Sequence, residues 1–274
     1  MEMIEITESL VSGLIKKREQ FSHKGTFGTL QLFCGSKNMP GAAFLAASGA
    51  LRCGVGLVYI STDRCVRQTL QTRLSEAVYT DKRIAQRATA FLSGCGSAYN
   101  AKFIKKLLLQ EKPVVIDADS LTYLSKNMHI LGGKHCRAII TPHAAEMSRL
   151  TGKSVEEIER SEASRAETAL DFAKKYSLTV LLKGHRTLIA TEDGKLFVNT
   201  SGNSGLAKGG SGDVLAGMIG AFAAQGYSAE DSCKIAAWLH GKAAESLTAD
   251  VFSQHGMLPS DIPSEAAKIL RKFE

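Results

Sequence analysis

One stretch carries most of the structural and chemical information in this chain: Asn199-Thr200-Ser201-Gly202-Asn203-Ser204-Gly205-Leu206-Ala207-Lys208-Gly209-Gly210-Ser211-Gly212-Asp213. An apolar run over residues 214–225 follows directly and predicts a buried helix that begins at or next to Asp213. Five glycines let the backbone turn sharply and approach a ligand closely. Because the first N–H groups of a helix lack intrahelical acceptors and lie at its positive end, Gly210, Ser211 and Gly212 are predicted to bind phosphate.

Asp213 is informative because a carboxylate and a phosphate repel each other. A carboxylate beside a phosphate is therefore expected only where it takes part in the reaction. We interpret it as a base that takes a proton from an attacking hydroxyl, while the N–H groups stabilise charge on a transferred phosphoryl group. The alternative is that Asp213 only caps the helix. Two commoner nucleotide loops do not match: the sequence has no G-x-x-x-x-G-K-[ST], and the G-x-G that begins at Gly94 has Tyr99 in place of its third glycine.

Short apolar runs alternate with helical patterns, which predicts an α/β fold with a central, mostly parallel sheet and helices on both faces. The predicted strands are 30–34, 57–61, 90–93, 113–117, 138–141 and 179–183, followed by a hairpin of 187–190 and 196–199. The predicted helices are 41–52, 101–110, 145–151, 155–176 and those that follow Asp213. No linker or repeat is visible, so we expect a single domain over residues 1–274.

Three of the predicted strands end in polar residues. Asp117 and Asp119 follow the first, Thr141-Pro142-His143 the second and Lys183-Gly184-His185 the third. Since the carboxyl ends of parallel strands share one edge of a sheet, where ligands bind, these side chains are expected to meet in one cleft.

Composition limits the class of partner. The net charge of +7 and the pI of about 9.1 favour anionic ligands. Nucleic acid is not expected, because the basic runs are short and lack interleaved aromatic residues. Six cysteines without a C-x-x-C, the lack of a secretory signal and the lack of a membrane-length apolar run favour a soluble, cytoplasmic protein.

The whole chain resembles the ribokinase-like superfamily and, within it, the NAD(P)H-hydrate dehydratases. The resemblance depends on blocks that occur in the family's order rather than on one motif. Besides the glycine stretch, the blocks are His23-Lys24-Gly25-Thr26-Phe27-Gly28, Gly35-Ser36-Lys37-Asn38-Met39-Pro40-Gly41-Ala42-Ala43, Ala50-Leu51-Arg52-Cys53-Gly54-Val55-Gly56-Leu57-Val58, Asp117-Ala118-Asp119-Ser120-Leu121, Thr141-Pro142-His143-Ala144-Ala145-Glu146-Met147, Lys183-Gly184-His185-Arg186-Thr187 and Leu239-His240-Gly241.

The resemblance implies an enzyme that returns the S-epimer of hydrated NADH or NADPH (NADHX, NADPHX) to NAD(P)H, a nicotinamide nucleotide repair reaction. ADP or ATP phosphorylates the ring hydroxyl, and phosphate then leaves, so the enzyme is a lyase. Asp213 would be the catalytic base. The nucleotide would contact Lys183, Gly184, His185, Arg186, Thr187, Gly210, Ser211 and Gly212. The hydrated dinucleotide would contact Ala42, Gly96, His143, Asn203 and Asp213.

Two further expectations concern the metal ion and the assembly of the protein. Mg²⁺ is expected with the nucleotide, and Asp119 and Glu146 are candidates to hold it through water, although the metal ligands stay open. The resemblance implies a homo-oligomer, a tetramer, and the small-residue helix at 42–50 is a candidate for subunit contacts.

The sequence departs from the family pattern at three places. Ala144-Ala145 replaces Pro-Gly, Cys95 replaces the proline of Gly-Pro-Gly, and Lys208 stands where threonine is common. Lys208 either adds positive charge at the glycine stretch or faces solvent.

Two alternatives stay open. A ribokinase-like small-molecule kinase, such as one acting on hydroxyethylthiazole, would share the glycine stretch and Asp213 but would release a stable phosphate ester. A nucleotide-sensing protein would bind without catalysis.

Overall fold

The computed structural model describes residues 2–81, 83–97 and 101–274, so Ala98 and Tyr99 of the Gly94 segment lie outside the described residues. The strands are β1 (Ile4–Glu5), β2 (Thr29–Phe33), β3 (Leu57–Ser61), β4 (Val78–Thr80), β5 (Ala90–Ser93), β6 (Val114–Ile116), β7 (Ala138–Ile140), β8 (Thr179–Leu182), β9 (Thr187–Ala190) and β10 (Leu196–Asn199). The α-helices are α1 (Glu8–Leu14), α2 (Pro40–Arg52), α3 (Arg64–Leu70), α4 (Ala101–Leu108), α5 (Ala118–Ser125), α6 (Ala144–Thr151), α7 (Val155–Glu159), α8 (Glu162–Tyr176), α9 (Ser211–Ala224), α10 (Ala229–Asp250) and α11 (Ile262–Leu270).

The described strands form one sheet in the order β1-β10-β9-β8-β7-β6-β5-β2-β3-β4. Every neighbouring pair is parallel except the two pairs made by β9, which runs antiparallel to β8 and β10. The β9–β10 hairpin turns at Gly194, whose φ of 89° favours glycine. The prediction of a mostly parallel sheet is therefore confirmed.

Helices cover both faces of the sheet, as predicted. Along β6, Val115 packs into one core with α2, α9, α10 and α11, whereas Val114 and Ile116 pack into a second core with α4, α5, α6 and α8. Alternation of this kind on a strand puts successive side chains on opposite faces. Burial on both faces explains why the central strands are apolar throughout. None of the helices in the described part combines the length and apolarity needed to cross a membrane.

Residues 155–176, predicted as one helix, form two. Ser161 adopts an extended conformation, and its hydroxyl accepts a hydrogen bond from the Ser164 N–H. This N-cap starts α8 and separates it from α7, so the prediction of a continuous helix is wrong. Strands β1 and β4, at the two edges of the sheet, were not predicted because each has only two or three residues and little buried apolar surface.

The small residues of α2 pack against α9. A Cβ added to Gly217 would lie 1.9 Å from the Ala46 carbonyl oxygen, and one added to Gly49 would lie 2.5 Å from the Val214 carbonyl oxygen. Such close approach of two helix backbones requires glycine at the contact. The buried face of α2 therefore holds α9 in place, and the predicted subunit contact of this helix stays a prediction.

Candidate active site

Of the polar residues predicted to meet at the carboxyl edge of the sheet, Asp117, Asp119 and Lys183 meet there, together with Glu146. Lys183 follows β8, and its ammonium lies 2.7 Å from Asp117 Oδ1, after β6, and 3.8 Å from Glu146 Oε2 on α6. The Asp117 side chain is 1% exposed and that of Lys183 is 19% exposed. We call Asp117, Asp119, Glu146 and Lys183 the strand-end cluster.

Lys183 stays charged in this cluster. Burial lowers the pKa of its ammonium, but the charges of Asp117 and Glu146 raise it by more, so the net pKa is raised. Asp119 has a raised pKa because of burial and the charges of Glu146 and Asp117, although the Ser97 N–H lowers it. Asp119 forms no ion pair with the described residues. The cluster therefore has one cation for three carboxylates, which suits an additional cation.

Backbone donors gather at the start of α9. Gly210 is the N-cap, with a φ of 103° that favours glycine, and the helix begins at Ser211. The N–H groups of Gly209, Gly210, Gly212 and Asp213 have no acceptor among the described residues, whereas the Ser211 N–H donates to the Lys208 carbonyl at 3.2 Å. The start of α9 thus offers several N–H donors, but the Ser211 N–H is already used within the loop, and phosphate binding here stays a prediction. Asp213 is the third residue of α9, and the alternative that it caps the helix is wrong.

Asp213 faces the strand-end cluster. Burial and, after it, the charge of Asp117 raise the pKa of its carboxyl, while a hydrogen bond from Cys95 and the charge of Lys183 lower it, and the net pKa is about 7. Gly212 lies next to the same ammonium, since an added Cβ would be 3.4 Å from Lys183 Nζ. A carboxyl that titrates near neutral pH can accept a proton from a substrate, as a general base must.

Cys95, which replaces the family's proline, lies between two of the carboxylates. Its sulfur is 3.9 Å from Asp117 Oδ2, and ligand atoms of Cys95, Asp117 and Asp213 all lie within 4.8 Å of one another. Mg²⁺ prefers oxygen to sulfur, and the Lys183 ammonium already neutralises Asp117. The oxygen donors of Asp119 and Glu146 therefore fit Mg²⁺ better than this trio.

His143 caps helix α6. Its Nδ1 accepts hydrogen bonds from the N–H groups of Ala145 and Glu146, and the Glu146 carboxylate accepts one from the His143 N–H at 2.8 Å. This capping box forms although Ala144-Ala145 replaces the usual Pro-Gly. The imidazole is 52% exposed at the rim and its Nε2 lies 3.6 Å from Glu146 Oε2, so its contact with a ligand stays a prediction.

The nucleotide segment 183–187 is a turn, and only Lys183 joins the strand-end cluster. The Thr187 hydroxyl donates to the Gly184 carbonyl, and the Arg186 guanidinium donates to Glu162 at 2.6 Å. His185 is exposed, and its carbonyl accepts from the buried Arg165. The turn borders the cluster, and its nucleotide contacts stay a prediction.

Two of the residues expected to contact the dinucleotide adjoin each other, and a third serves the loop. Gly96 has a φ of 60°, and an added Cβ would lie 2.8 Å from the Ala42 Cβ. Asn203 instead uses its amide within the protein: Oδ1 accepts from the Gly205 N–H, and Nδ2 donates to the Ala244 carbonyl and the Thr248 hydroxyl. Asn203 thus ties the glycine stretch to α10, and its predicted substrate contact is untested.

Two residues in the site had no predicted role. Asp117 was noted only as a strand-end residue, and its pairing with Lys183 depends on tertiary structure. His240, quoted only within a family block, is buried behind the start of α9, where burial lowers its pKa to about 4 although a hydrogen bond with the Ser211 backbone raises it. Its place in an apolar helix offered no signal of this contact.

Comparison with known proteins agrees with this geometry. The family model described as NAD(P)H-hydrate dehydratase matches residues 30–268. The chain belongs to the NAD(P)H-hydrate dehydratase family. An ADP-dependent (S)-NAD(P)H-hydrate dehydratase of Neisseria meningitidis is 38% identical, over 94% of this chain and 90% of that protein. A Bacillus subtilis ADP/ATP-dependent NAD(P)H-hydrate dehydratase, co-crystallised with ATP/Mg²⁺, has a TM-score of 0.89 at 32% identity, and the match covers all of both chains.

The ribokinase-like fold is confirmed as well. A ribokinase-like superfamily protein from Enterococcus faecalis has a TM-score of 0.85 at 27% identity, and the match covers 99% of this chain and 96% of that one. Membership of the NAD(P)H-hydrate dehydratase family confirms the predicted activity, an ADP/ATP-dependent dehydratase of nicotinamide nucleotide repair. It favours this activity over the small-molecule kinase and the nucleotide sensor.

Proposed function

We propose that this NAD(P)H-hydrate dehydratase acts on the S-epimers of NADHX and NADPHX, with Asp213 as the base that activates the ring hydroxyl. The observation that carries the proposal is the position of Asp213. Its carboxyl, with a pKa of about 7, lies in the first turn of α9 among N–H groups that have no acceptor in the described part of the chain. A base and an anion site are thereby combined within a few residues.

The phosphoryl donor binds along the start of α9. The N–H groups of Gly209, Gly210, Gly212 and Asp213 donate to phosphate oxygens, and Lys183 supplies positive charge on the adjoining side. These groups are fixed before the reaction, so they stabilise the charge that develops on the transferred phosphoryl group with little reorganisation.

The base and the donor act on one oxygen atom. Asp213 takes the proton of the ring hydroxyl while that oxygen forms a bond to the terminal phosphorus and the phosphoanhydride bond breaks, which leaves AMP from ADP or ADP from ATP. The carbon–oxygen bond of the ring then breaks and inorganic phosphate leaves. A proton lost from the neighbouring ring carbon completes the double bond of NAD(P)H.

Mg²⁺ belongs to the proposal because the donor is a nucleoside phosphate. Asp119 and Glu146 would hold it through water, in keeping with the raised pKa of Asp119 and its lack of an ion pair with described residues. When bound, the ion supplies charge neutralisation at the phosphates. The dinucleotide would lie on the side of Gly96, Ala42 and the exposed edge of His143.

The deciding experiment follows the absorbance of the dihydronicotinamide while hydrated NADH is incubated with ADP or ATP and Mg²⁺. We expect recovery of NADH with at least one nucleotide. Asp213→Asn should lower kcat about 10²- to 10⁴-fold, because a general base is lost. Nucleotide affinity should be unchanged or slightly tighter, because a negative charge beside the phosphates is removed.

The matched control is Asp171→Asn, which changes an exposed carboxylate on α8. It should leave both turnover and nucleotide affinity at the wild-type level. Nucleotide consumption without NADH recovery would point to the kinase, and nucleotide binding without consumption would point to the sensor. Wild-type turnover in Asp213→Asn would remove Asp213 from the mechanism.

We also propose that the chain acts as one domain and assembles as a homotetramer. Light scattering coupled to size-exclusion chromatography tests the assembly. A single monomeric peak at assay concentration would contradict it.

A further inference from the structure

A turn near the C-terminus lies along the outer side of the glycine stretch. Residues 253–259, which we call the 253–259 turn, are held by hydrogen bonds from the N–H groups of Gly256 and Met257 to the Ser253 carbonyl, both at 3.0 Å. Most of its side chains are exposed, but Met257 and Pro259 are buried. The turn is thus exposed on one side and packed against the protein on the other.

The buried side of the turn packs on the glycine stretch. An added Cβ on Gly205 would lie 3.0 Å from the Met257 Cε, and one on Gly210 would lie 3.6 Å from Pro259. The Ser204 hydroxyl also donates a hydrogen bond to the side-chain carbonyl of Gln254. The turn therefore contacts the stretch at both of its ends.

Lys208 joins the two segments at the centre. Its ammonium donates hydrogen bonds to the main-chain carbonyls of His255 and Met257, and it forms no ion pair with a carboxylate in the described ranges. Its own carbonyl accepts the N–H of Ser211, the first residue of α9, at 3.2 Å. One residue thus holds the turn by its side chain and the start of the helix by its backbone.

We propose that Lys208 is a positioning residue for the nucleotide: by clamping the 253–259 turn to the glycine stretch, it holds the N–H groups of Gly209, Gly210 and Gly212 in place. This inference rests on the proposed function, since it assumes that these groups bind phosphate. The length of the lysine side chain is what the clamp needs, because one ammonium must reach two main-chain carbonyls of the turn.

The inference gives Lys208 a role that is separate from catalysis. Lys208→Met removes both charge-assisted hydrogen bonds and leaves two carbonyl oxygens without a donor. We expect the Kd and KM for ADP or ATP to rise about tenfold while kcat changes less than about threefold, because preorganisation of a binding site is lost and the base is intact. Lys208→Arg keeps the charge and several donors and should retain most of the affinity.

A second readout addresses the two carbonyls directly. In Lys208→Met they form a ligand pair for a small monovalent cation, so ammonium chloride should restore part of the nucleotide affinity. Tetramethylammonium chloride at the same ionic strength should not, because it has no N–H donor. Lys195→Met, which removes a half-exposed lysine of the β9–β10 hairpin, is the matched control and should bind nucleotide like the wild type.

The outcomes separate the two proposals when binding is measured by calorimetry, independently of turnover. If the wild type binds neither ADP nor ATP, the proposed function fails. If the wild type binds and Lys208→Met binds equally tightly, the clamp is refuted and the function stands. Equal recovery in both salts, or recovery in neither, would also overturn the role of the ammonium. Thermal melts identify an unfolded Lys208→Met, in which case Lys208→Arg and Gln254→Ala test the same contact.

Discussion

The start of α9 and the strand-end cluster handle charge at the same edge of the sheet but are built from different groups. The start of α9 offers backbone N–H groups that carry no formal charge and are aimed by the conformations of Gly210 and its neighbours. The strand-end cluster uses acidic and basic side chains, with Lys183 set between Asp117 and Glu146. The first therefore depends on backbone geometry, and the second depends on charge balance.

Asp213 belongs to both regions, which explains its chemistry. It lies in the first turn of α9, where burial raises the pKa of its carboxyl, and within the strand-end cluster the charge of Asp117 raises that pKa and the charge of Lys183 lowers it. The backbone site alone would bind an anion without activating a hydroxyl. The strand-end cluster alone would provide charged side chains but no backbone N–H groups to bind an anion.

The largest expected effect tests the dependence of the cluster on charge. Lys183→Met leaves Asp117 and Glu146 buried without their cation, so we expect the free energy of unfolding to fall by about 3 kcal/mol. We expect kcat/KM to fall about 10²- to 10³-fold, because positive charge beside the phosphates is lost. Chemical denaturation and the NADH-recovery assay measure the two effects.

Two variants show whether charge is the cause. Asp117→Asn combined with Lys183→Met should recover part of the stability and none of the activity, because the buried negative charge is removed with the cation. Lys268→Met breaks an ion pair of a 73% exposed lysine and should cost less than about 1 kcal/mol. Equal losses of unfolding free energy in Lys268→Met and Lys183→Met would contradict the expected difference between an exposed ion pair and the buried strand-end cluster.

A smaller effect tests the dependence of the α9 start on backbone geometry. Gly210→Ala places a Cβ at a φ of 103°, which strains the backbone, and 2.4 Å from the Leu45 Cδ1, so the Leu45 side chain or the loop must shift. We expect the nucleotide Kd to rise about tenfold, since a strain of roughly 1–2 kcal/mol falls on the bound conformation. Isothermal calorimetry with ADP measures it.

The matched control is the preceding glycine. Gly209→Ala adds a Cβ with nothing within 4 Å and at a backbone conformation without positive φ. It keeps the N–H donor and should change the Kd less than about threefold. If Gly209→Ala and Gly210→Ala weaken nucleotide binding equally, the backbone conformation of Gly210 is not what orients the N–H donors.

The two regions also differ in how far the sequence predicted them. The α9 start is local: glycines, Asp213 and an apolar run are adjacent in the chain, and an anion site at a helix N-terminus follows from elementary backbone properties. The predicted start of the helix, at or next to Asp213, was late, because α9 begins two residues earlier at Ser211. The parallel sheet and the meeting of its polar strand ends were likewise predicted from periodicity.

Pairing within the strand-end cluster could not be predicted. Lys183 and Asp117 are 66 positions apart, and any of the strand-end carboxylates could have paired with the lysine. Asn203 shows the same limit, because its amide is used by Thr248 and Ala244 on a helix that is distant in sequence. The packing of the small residues of α2 on α9 depends in the same way on tertiary structure, because the two helices are distant in sequence.

The smallest expected effect concerns the contact between Cys95 and Asp213. The hydrogen bond from the Cys95 thiol lowers the pKa of the Asp213 carboxyl, which burial and Asp117 together raise to about 7. As a base, Asp213 must be ionised, so kcat/KM should increase with pH through about 7 in the wild type.

Cys95→Ala removes the hydrogen-bond donor and raises the pKa of Asp213, so the rise of kcat/KM should move to higher pH. Cys95→Ser keeps a donor, and its pH profile should stay near that of the wild type. Cys65→Ala, at an exposed thiol, is the control. A rise of kcat/KM that moves to lower pH in Cys95→Ala would show that the thiol does not stabilise the ionised carboxylate.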